Sequence, residues 1–373
     1  MTSASPVSAA GLAALVRPGL GLPPRGHAGH GGPTPGTDGG EADPIDLVEA
    51  ARRHGVVGLL PTDGRLAGPV RAARRETLAH YVRTLHDLRT IRDAFAVADV
   101  DWVLVKGAAL AHELYPRPDV RPFADADVVV APGRLAAALD ALEAVGAVDL
   151  VHNWDLMLRL GLAEITLVMP AGTQVDLHWS LANRASVRDG LGFRTDALLA
   201  GSRPCGLLPG LRTPDDVDAL VHVAWHCARN GAARLLWLCD VELAAARVLD
   251  RHEALQDALA RTGTLLPVAV ALDRAAQVFP GGAAQTVADR LPQGWWRALN
   301  RASGRRLVGA PPGRRSGRAL VRASGRDGWR SLTALRVPGL HLGPTPAQES
   351  LSADRGGTAG RGAYLAWVQA HGH

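Results

Sequence analysis

The chain has 373 residues, 47% of them hydrophobic, with 41 Lys+Arg against 36 Asp+Glu and a formal charge of +5. That length allows two domains with a sizeable core and tails, and the three cysteines Cys205, Cys227 and Cys239, with no CxxC pair and no zinc spacing, exclude a disulfide scaffold. No stretch approaches the roughly 20 apolar residues of a membrane helix, Met1 to Gly19 lacks the basic-then-apolar pattern of a signal peptide, and a reducing cytoplasm is the expected compartment.

Gly and Pro dominate residues 17–43. Such a segment cannot bury enough apolar surface to offset its ordering entropy, so residues 1–43 are expected to be a disordered lead-in. A helix should begin at Pro44 with Asp43 as its N-cap and Ile45, Val48 and Ala51 on its apolar face. A longer helix over about 70–98 follows from Leu78, Tyr81, Val82, Leu85, Leu88, Ile91 and Phe95 at helical spacing. These helices make up residues 44–99.

Residues 100–185 read as a compact α/β domain. A strand at Trp102 to Val105 ends in Lys106-Gly107, and a helix at Ala108 to Leu114 follows. The β-rich run Asp125-Ala126-Asp127-Val128-Val129-Val130 comes next, then a helix over 133–145. Two strands, Glu164 to Met169 and Thr173 to Trp179, pair across Pro170-Ala171-Gly172. Residues 186–300 read as a helical domain. Its first helix should be capped at Thr213, with Pro214 at the first helical position and acids behind it. Further helices are expected at about 235–248 and 265–278. Residues 301–373 are expected to be basic and weakly ordered apart from a short helix at 363–368. Asp327 is the acid within the Arg-rich stretch 290–336. That stretch could attract nucleic acid, anionic lipid or an acidic peptide, although a solvated basic surface is the simpler reading.

Asp125 and Asp127 carry the chemistry. Side chains at i and i+2 leave one face of a strand, with Cα atoms about 6.6 Å apart. Two carboxylates there repel each other unless a cation lies between them, and hard oxygen donors suit Mg²⁺ or Mn²⁺. Asp176 is the best third carboxylate, because Val175, Asp176, Leu177 and His178 alternate and put Asp176 and His178 on one face. Glu164 on the partner strand is the next choice. Two ions held this way can grip a nucleoside triphosphate and activate an attacking hydroxyl. Lys106 is the chain's only lysine. Its survival among 40 arginines points to a need for a compact ammonium. Gly107 would permit a tight turn and close approach of phosphate to backbone N–H groups. Arg121 is a candidate phosphate contact. His178 could bind substrate or orient Asp176, and a simple structural hydrogen bond is an equal alternative. His222 and His226 stand four apart on a helix without the Glu of a zinc protease, and read as packing.

The segment VLVKGAALAHELYPRPDVRPFADADVVV resembles an uncharacterised nucleotidyltransferase family of the polymerase-β-like superfamily, often found beside lasso-peptide and other peptide natural-product genes. The matching residues are Lys106-Gly107, Arg121, Asp125, Asp127 and Asp176-Leu177-His178-Trp179. His222, His226, Trp237 and Asp240 match in the second half. Apolar residues follow the acids here, as in that superfamily, whereas in haloacid-dehalogenase-type enzymes they precede them.

The resemblance implies an α+β fold in which helical segments flank a polymerase-β-like domain with a mixed sheet. It also implies transfer of a nucleoside monophosphate from an NTP, with ATP expected, to a hydroxyl or phosphate of a peptide or small molecule. Asp125, Asp127 and Asp176 would be catalytic and metal-binding. Lys106, Gly107, Arg121 and His178 would bind nucleotide. Ala124, Ala126 and the Lys-Gly dipeptide depart from the superfamily pattern, so an inactive module that binds a precursor peptide or partner protein is the alternative.

Overall fold

The computed structural model describes residues 9–22, 43–294, 297 and 357–372. In chain order the elements are α1 (Ala9–Val16), α2 (Pro44–His54), α3 (Ala67–Val97), β1 (Trp102–Val105), α4 (Gly107–Glu113), β2 (Asp125–Val130), α5 (Leu135–Ala144), β3 (Val148–Asp149), α6 (Trp154–Leu160), β4 (Glu164–Val168) and β5 (Gln174–His178). There follow α7 (Ala185–Arg188), α8 (Thr195–Gly201), β6 (Arg203–Pro204), β7 (Arg212–Thr213), α9 (Asp216–Arg229), α10 (Leu235–Ala246), α11 (His252–Thr262), α12 (Leu265–Val278), α13 (Ala283–Arg290) and α14 (Gly357–His371). Among the described residues no helix is long and apolar enough to cross a membrane.

A mixed sheet in the order β1-β2-β5-β4-β3 organises the first half. β2 and β5 run parallel, and the other neighbours are antiparallel. Period-two alternation sorts the side chains onto two faces. Trp102, Leu104, Ala126, Val128, Val130, Ile165, Leu167, Val175 and Leu177 share a core with α3, α5 and α6. Val103, Val105 and Val129 point the other way and meet Leu198 of α8. The acids Asp125, Asp127 and Asp176 share the parity of this second face, and there it turns from apolar to polar.

The helices do not divide at the sheet boundary. Leu12, Val16, Leu47 and Ala51 of α1 and α2 join the core of α9 to α13, while Leu88, Ile91 and Phe95 of α3 join the sheet core. α1 lies within the lead-in expected to be disordered. Its Leu12 and Val16 are fully buried, so local apolar residues overrode the Gly/Pro-rich neighbourhood. The rest of that lead-in, residues 1–8 and 23–42, and the Arg-rich stretch at 298–356 lie outside the described residues.

Other differences from the sequence reading have local causes. Asp43 does cap α2, accepting the Ile45 N–H at 2.9 Å, but Ile45 itself is exposed and Leu47 is buried in its place. On α3, Leu78 and Val82 face solvent. α9 is capped by Asp215, whose carboxylate accepts the Asp218 N–H at 2.8 Å. Thr213 belongs to β7 instead, and its hydroxyl donates to the Leu104 carbonyl of β1 at 3.1 Å. α14 is longer than expected. Its Tyr364 hydroxyl donates to the Leu162 carbonyl at 2.7 Å and accepts from the Trp179 indole at 2.9 Å.

The β4–β5 turn is held from outside. Asp87 of α3 is buried, and its carboxylate accepts the N–H groups of Ala171 and Thr173, both at 3.1 Å. Two charge-assisted bonds in a buried place lock the register that carries Asp176. Asp87→Ala should therefore lower unfolding stability by about 2 kcal/mol, since it leaves the buried Thr173 N–H and the partly buried Ala171 N–H without their acceptor. Urea denaturation checks this, and an unchanged midpoint would refute it.

Candidate active site

Register builds the site. In the parallel β2–β5 pair, Asp127 is the direct partner of Asp176, and Asp125 lies two residues earlier on the same face. β4 brings Glu164 opposite His178. The strands thus place four carboxylates and one imidazole along one wall of a cleft, which also contains Lys106 and Asn183. Ligand atoms of Asp127, Asp176 and His178 lie within 4.8 Å of one another.

Lys106 answers this crowding. It follows β1 directly, and β1 pairs with β2 so that Val105 faces Asp127. Its ammonium lies 2.7 Å from Asp127 Oδ1. The same oxygen meets His178 Nε2 at 3.1 Å. Burial alone would raise the Asp127 carboxyl, but the Lys106 charge and the His178 bond outweigh it and hold it well below the carboxylate range. Burial likewise opposes the Lys106 charge, and Asp127 overcomes that penalty. Asp125 differs. Burial and then Asp127 push its carboxyl up. Asp176 is raised chiefly by burial, although Thr166 Oγ1 donates to its Oδ1 at 2.8 Å and opposes the shift. Burial also raises Glu164, which accepts from Asn183 Nδ2 at 3.0 Å.

The turn that delivers Lys106 is strained. Its φ of 59° and ψ of −150° lie in a region that side chains avoid. Gly107 follows at φ 44°, and a Cβ there would stand 2.8 Å from the Asp125 carbonyl oxygen. Glycine is thus required both by the backbone and by the close approach of β2.

Arg121 corrects the sequence reading. It is buried and does not face the cleft. Its Nε and Nη2 donate to Asp240 of α10 at 2.8 Å each, and its Nη1 donates to the Gly107 carbonyl at 3.1 Å. Tyr115 Oη donates to the same Asp240 at 2.7 Å. Arg121 therefore anchors the Lys106-Gly107 turn to the helical half, because a buried guanidinium needs a carboxylate more than a distant phosphate. His178 does not orient Asp176: its Nε2 bonds Asp127 instead. Its Nδ1 is buried without a hydrogen-bond partner, 3.8 Å from Glu164.

His222 and His226, read from sequence as packing, line the cleft opposite the carboxylates, together with Trp225, Arg229 and Asn230 of the same helical stretch. Their four-residue spacing put both on one helix face, but it did not say whether that face met core or cleft.

Breaking the buried Arg121–Asp240 pair should be costly. Asp240→Ala leaves a guanidinium buried and unpaired, and a loss of about 3–5 kcal/mol is expected in denaturant unfolding. The double variant Arg121→Met, Asp240→Leu should recover much of it. Equal destabilisation by the single and double variants would contradict this account.

The donor set fits a hard divalent cation. Carboxylate oxygens converge with an imidazole, and Asp125, Asp176 and Glu164 are raised by burial, so added positive charge would relieve them. No curated protein and no solved structure matches this chain. Residues 40–280 match the family described as uncharacterised nucleotidyltransferase, and that span contains every residue of the cleft. With its mixed sheet and the acids of β2 and β5 on one face, the chain belongs to this nucleotidyltransferase family.

Proposed function

We propose that the chain transfers a nucleoside monophosphate from an NTP, ATP in the first instance, to a hydroxyl or phosphate of a peptide or small molecule. The observation that carries this reading is the β2–β5 register, which sets Asp176 beside Asp127 with Asp125 on the same face. Family membership and the buried Asp127, Asp176 and His178 group support it.

In this reading Asp125, Asp127 and Asp176 hold Mg²⁺ or Mn²⁺, with His178 and Glu164 beside them. Bound metal would neutralise the triphosphate and favour the ionised acceptor. The residues do the rest. Lys106 sets a compact positive charge at the cluster, and Gly107 lets the backbone pass close to β2. His178 and Lys106 keep Asp127 ionised. Asp176, fixed by Thr166, serves the acceptor side. An acceptor oxygen forms a bond to the α-phosphorus while the bond from that phosphorus to the bridging oxygen breaks. Pyrophosphate leaves with the electron pair, and a hydroxyl acceptor gives up its proton to the carboxylate cluster. In-line displacement of this kind depends on positioning and electrostatics more than on covalent help from the protein.

Two substitutions separate the roles. Lys106→Met should weaken Mg²⁺-dependent NTP binding by about tenfold or more, and Lys106→Arg should not restore it, because a planar guanidinium does not replace a point charge. Full affinity in Lys106→Met, measured by calorimetry, would show its charge to be irrelevant. Asp176→Asn should leave NTP affinity largely intact but slow NTP breakdown to monophosphate and pyrophosphate by about 100-fold or more. Wild-type turnover in that variant would remove Asp176 from the chemistry and direct attention to Glu164.

A further inference from the structure

The cleft has a second wall, built by the last two turns of α9 and the residue after it. We infer that His222, His226 and Asn230 on this wall recognise the nucleoside part of the nucleotide, its ribose and base, and not its phosphates. The inference rests on the nucleotidyl-transfer reading above.

Spacing comes first. Residues four apart on a helix share a face, and all three line the cleft across from the carboxylates. Their hydrogen-bonding capacity is unused by the protein. His222 lies against the Trp225 ring and His226 against that of Trp237, but neither imidazole hydrogen-bonds to any of the described residues. Both imidazoles line the cleft, so their ring nitrogens are open to hydrogen-bond a molecule bound there. Asn230 Nδ2 donates to the His226 carbonyl at 2.8 Å, which leaves its Oδ1 as an acceptor.

The two imidazoles of the wall are neutral. Burial, and then the Lys106 charge, hold the His226 imidazole down to about 3 and His222 well below its ordinary value. A neutral imidazole offers one donor and one acceptor. That mixture suits ribose hydroxyls, ring nitrogens and exocyclic amino or carbonyl groups. It suits a polyphosphate poorly, since phosphate oxygens only accept.

Helix direction agrees. Asn230 is the C-cap of α9, so the carbonyl end and negative pole of the helix lie at this wall, where anions are disfavoured. The acids of α9 stand at its other end, where Asp215, Asp216 and Asp218 pair with Arg251, Arg203 and Arg261. Arg229 adds a cation, and its guanidinium lies over the Trp225 ring at 5.3 Å. Both imidazoles feel the charges of Lys106 and Asp127 across the cleft.

Calorimetry on the full chain with Mg²⁺ tests this, with ATP, GTP, CTP, UTP and inorganic tripolyphosphate as probes. His226→Leu and Asn230→Ala should each weaken the preferred NTP by about tenfold or more, the loss expected when a buried partner is left unpaired. Tripolyphosphate affinity should stay unchanged. His226 and Asn230 are both partly buried, and the Asn230 variant keeps the test open if the His226 variant melts early. Equal loss for tripolyphosphate would make this a phosphate wall and overturn the inference. Unchanged NTP affinity in both variants would assign the wall to packing or to the acceptor, and would also overturn it while leaving nucleotidyl transfer standing. Failure of wild-type protein to bind any NTP would remove both readings together.

Discussion

Like charges held close in a buried place need a counter-charge, and the centre of this molecule is arranged around that need. Asp125, Asp127, Asp176 and Glu164 converge on one wall of the cleft, and Lys106 reaches in among them to meet Asp127 at 2.7 Å. At such a separation the attraction is several kcal/mol even in a fairly polar interior. One lysine can satisfy one carboxylate. Burial raises the other three, and they supply the unbalanced negative charge that a divalent cation would relieve.

Holding Lys106 there engages both halves of the chain. The strained Lys106-Gly107 turn hangs from β1 on one side and is tied on the other by Arg121, which joins the Gly107 carbonyl to Asp240 of α10. That guanidinium is buried, so the tie cannot be exchanged for water without exposing a charge to an apolar surrounding. A shift of α10 relative to the sheet would be felt at the turn, and through it at Asp127. α9 packs on α10 and forms the facing wall of the same cleft. The helical half thus shapes the site from two directions, through the tie beneath it and the wall across from it.

The supports of β5 follow the same logic. Asp87 pins the turn before the strand, and Tyr364 of α14 holds the indole of Trp179 just after it. α14 lies outside the family-matched span, yet it braces the strand that carries Asp176 and His178. Both anchors are hydrogen bonds to buried groups, which fix position more strictly than apolar contact does.

Much of the strand content was legible from local pattern. β1 and β2 follow from apolar runs with fixed ends, and the β4–β5 hairpin follows from its Pro-Ala-Gly turn. α12 coincides with its apolar period. The acids of β2 and β5 were legible as a set because period-two alternation is a local property. Other features were not. α1 was hidden by its Gly- and Pro-rich surroundings, since a short helix is stabilised by partners far along the chain. Arg121 looked like a phosphate contact, and only the approach of Asp240, 119 residues away, decided its role. His222 and His226 carried no local sign of whether their helix face would meet core or cleft. By itself the sequence determined which residues alternate, where turns fall and that a single lysine stands before a glycine, because these depend on neighbours in the chain. The tertiary structure decided which carboxylate that lysine meets, where Arg121 is anchored and which face of α9 lines the cleft, because charge pairing and burial are settled between residues that the sequence keeps far apart.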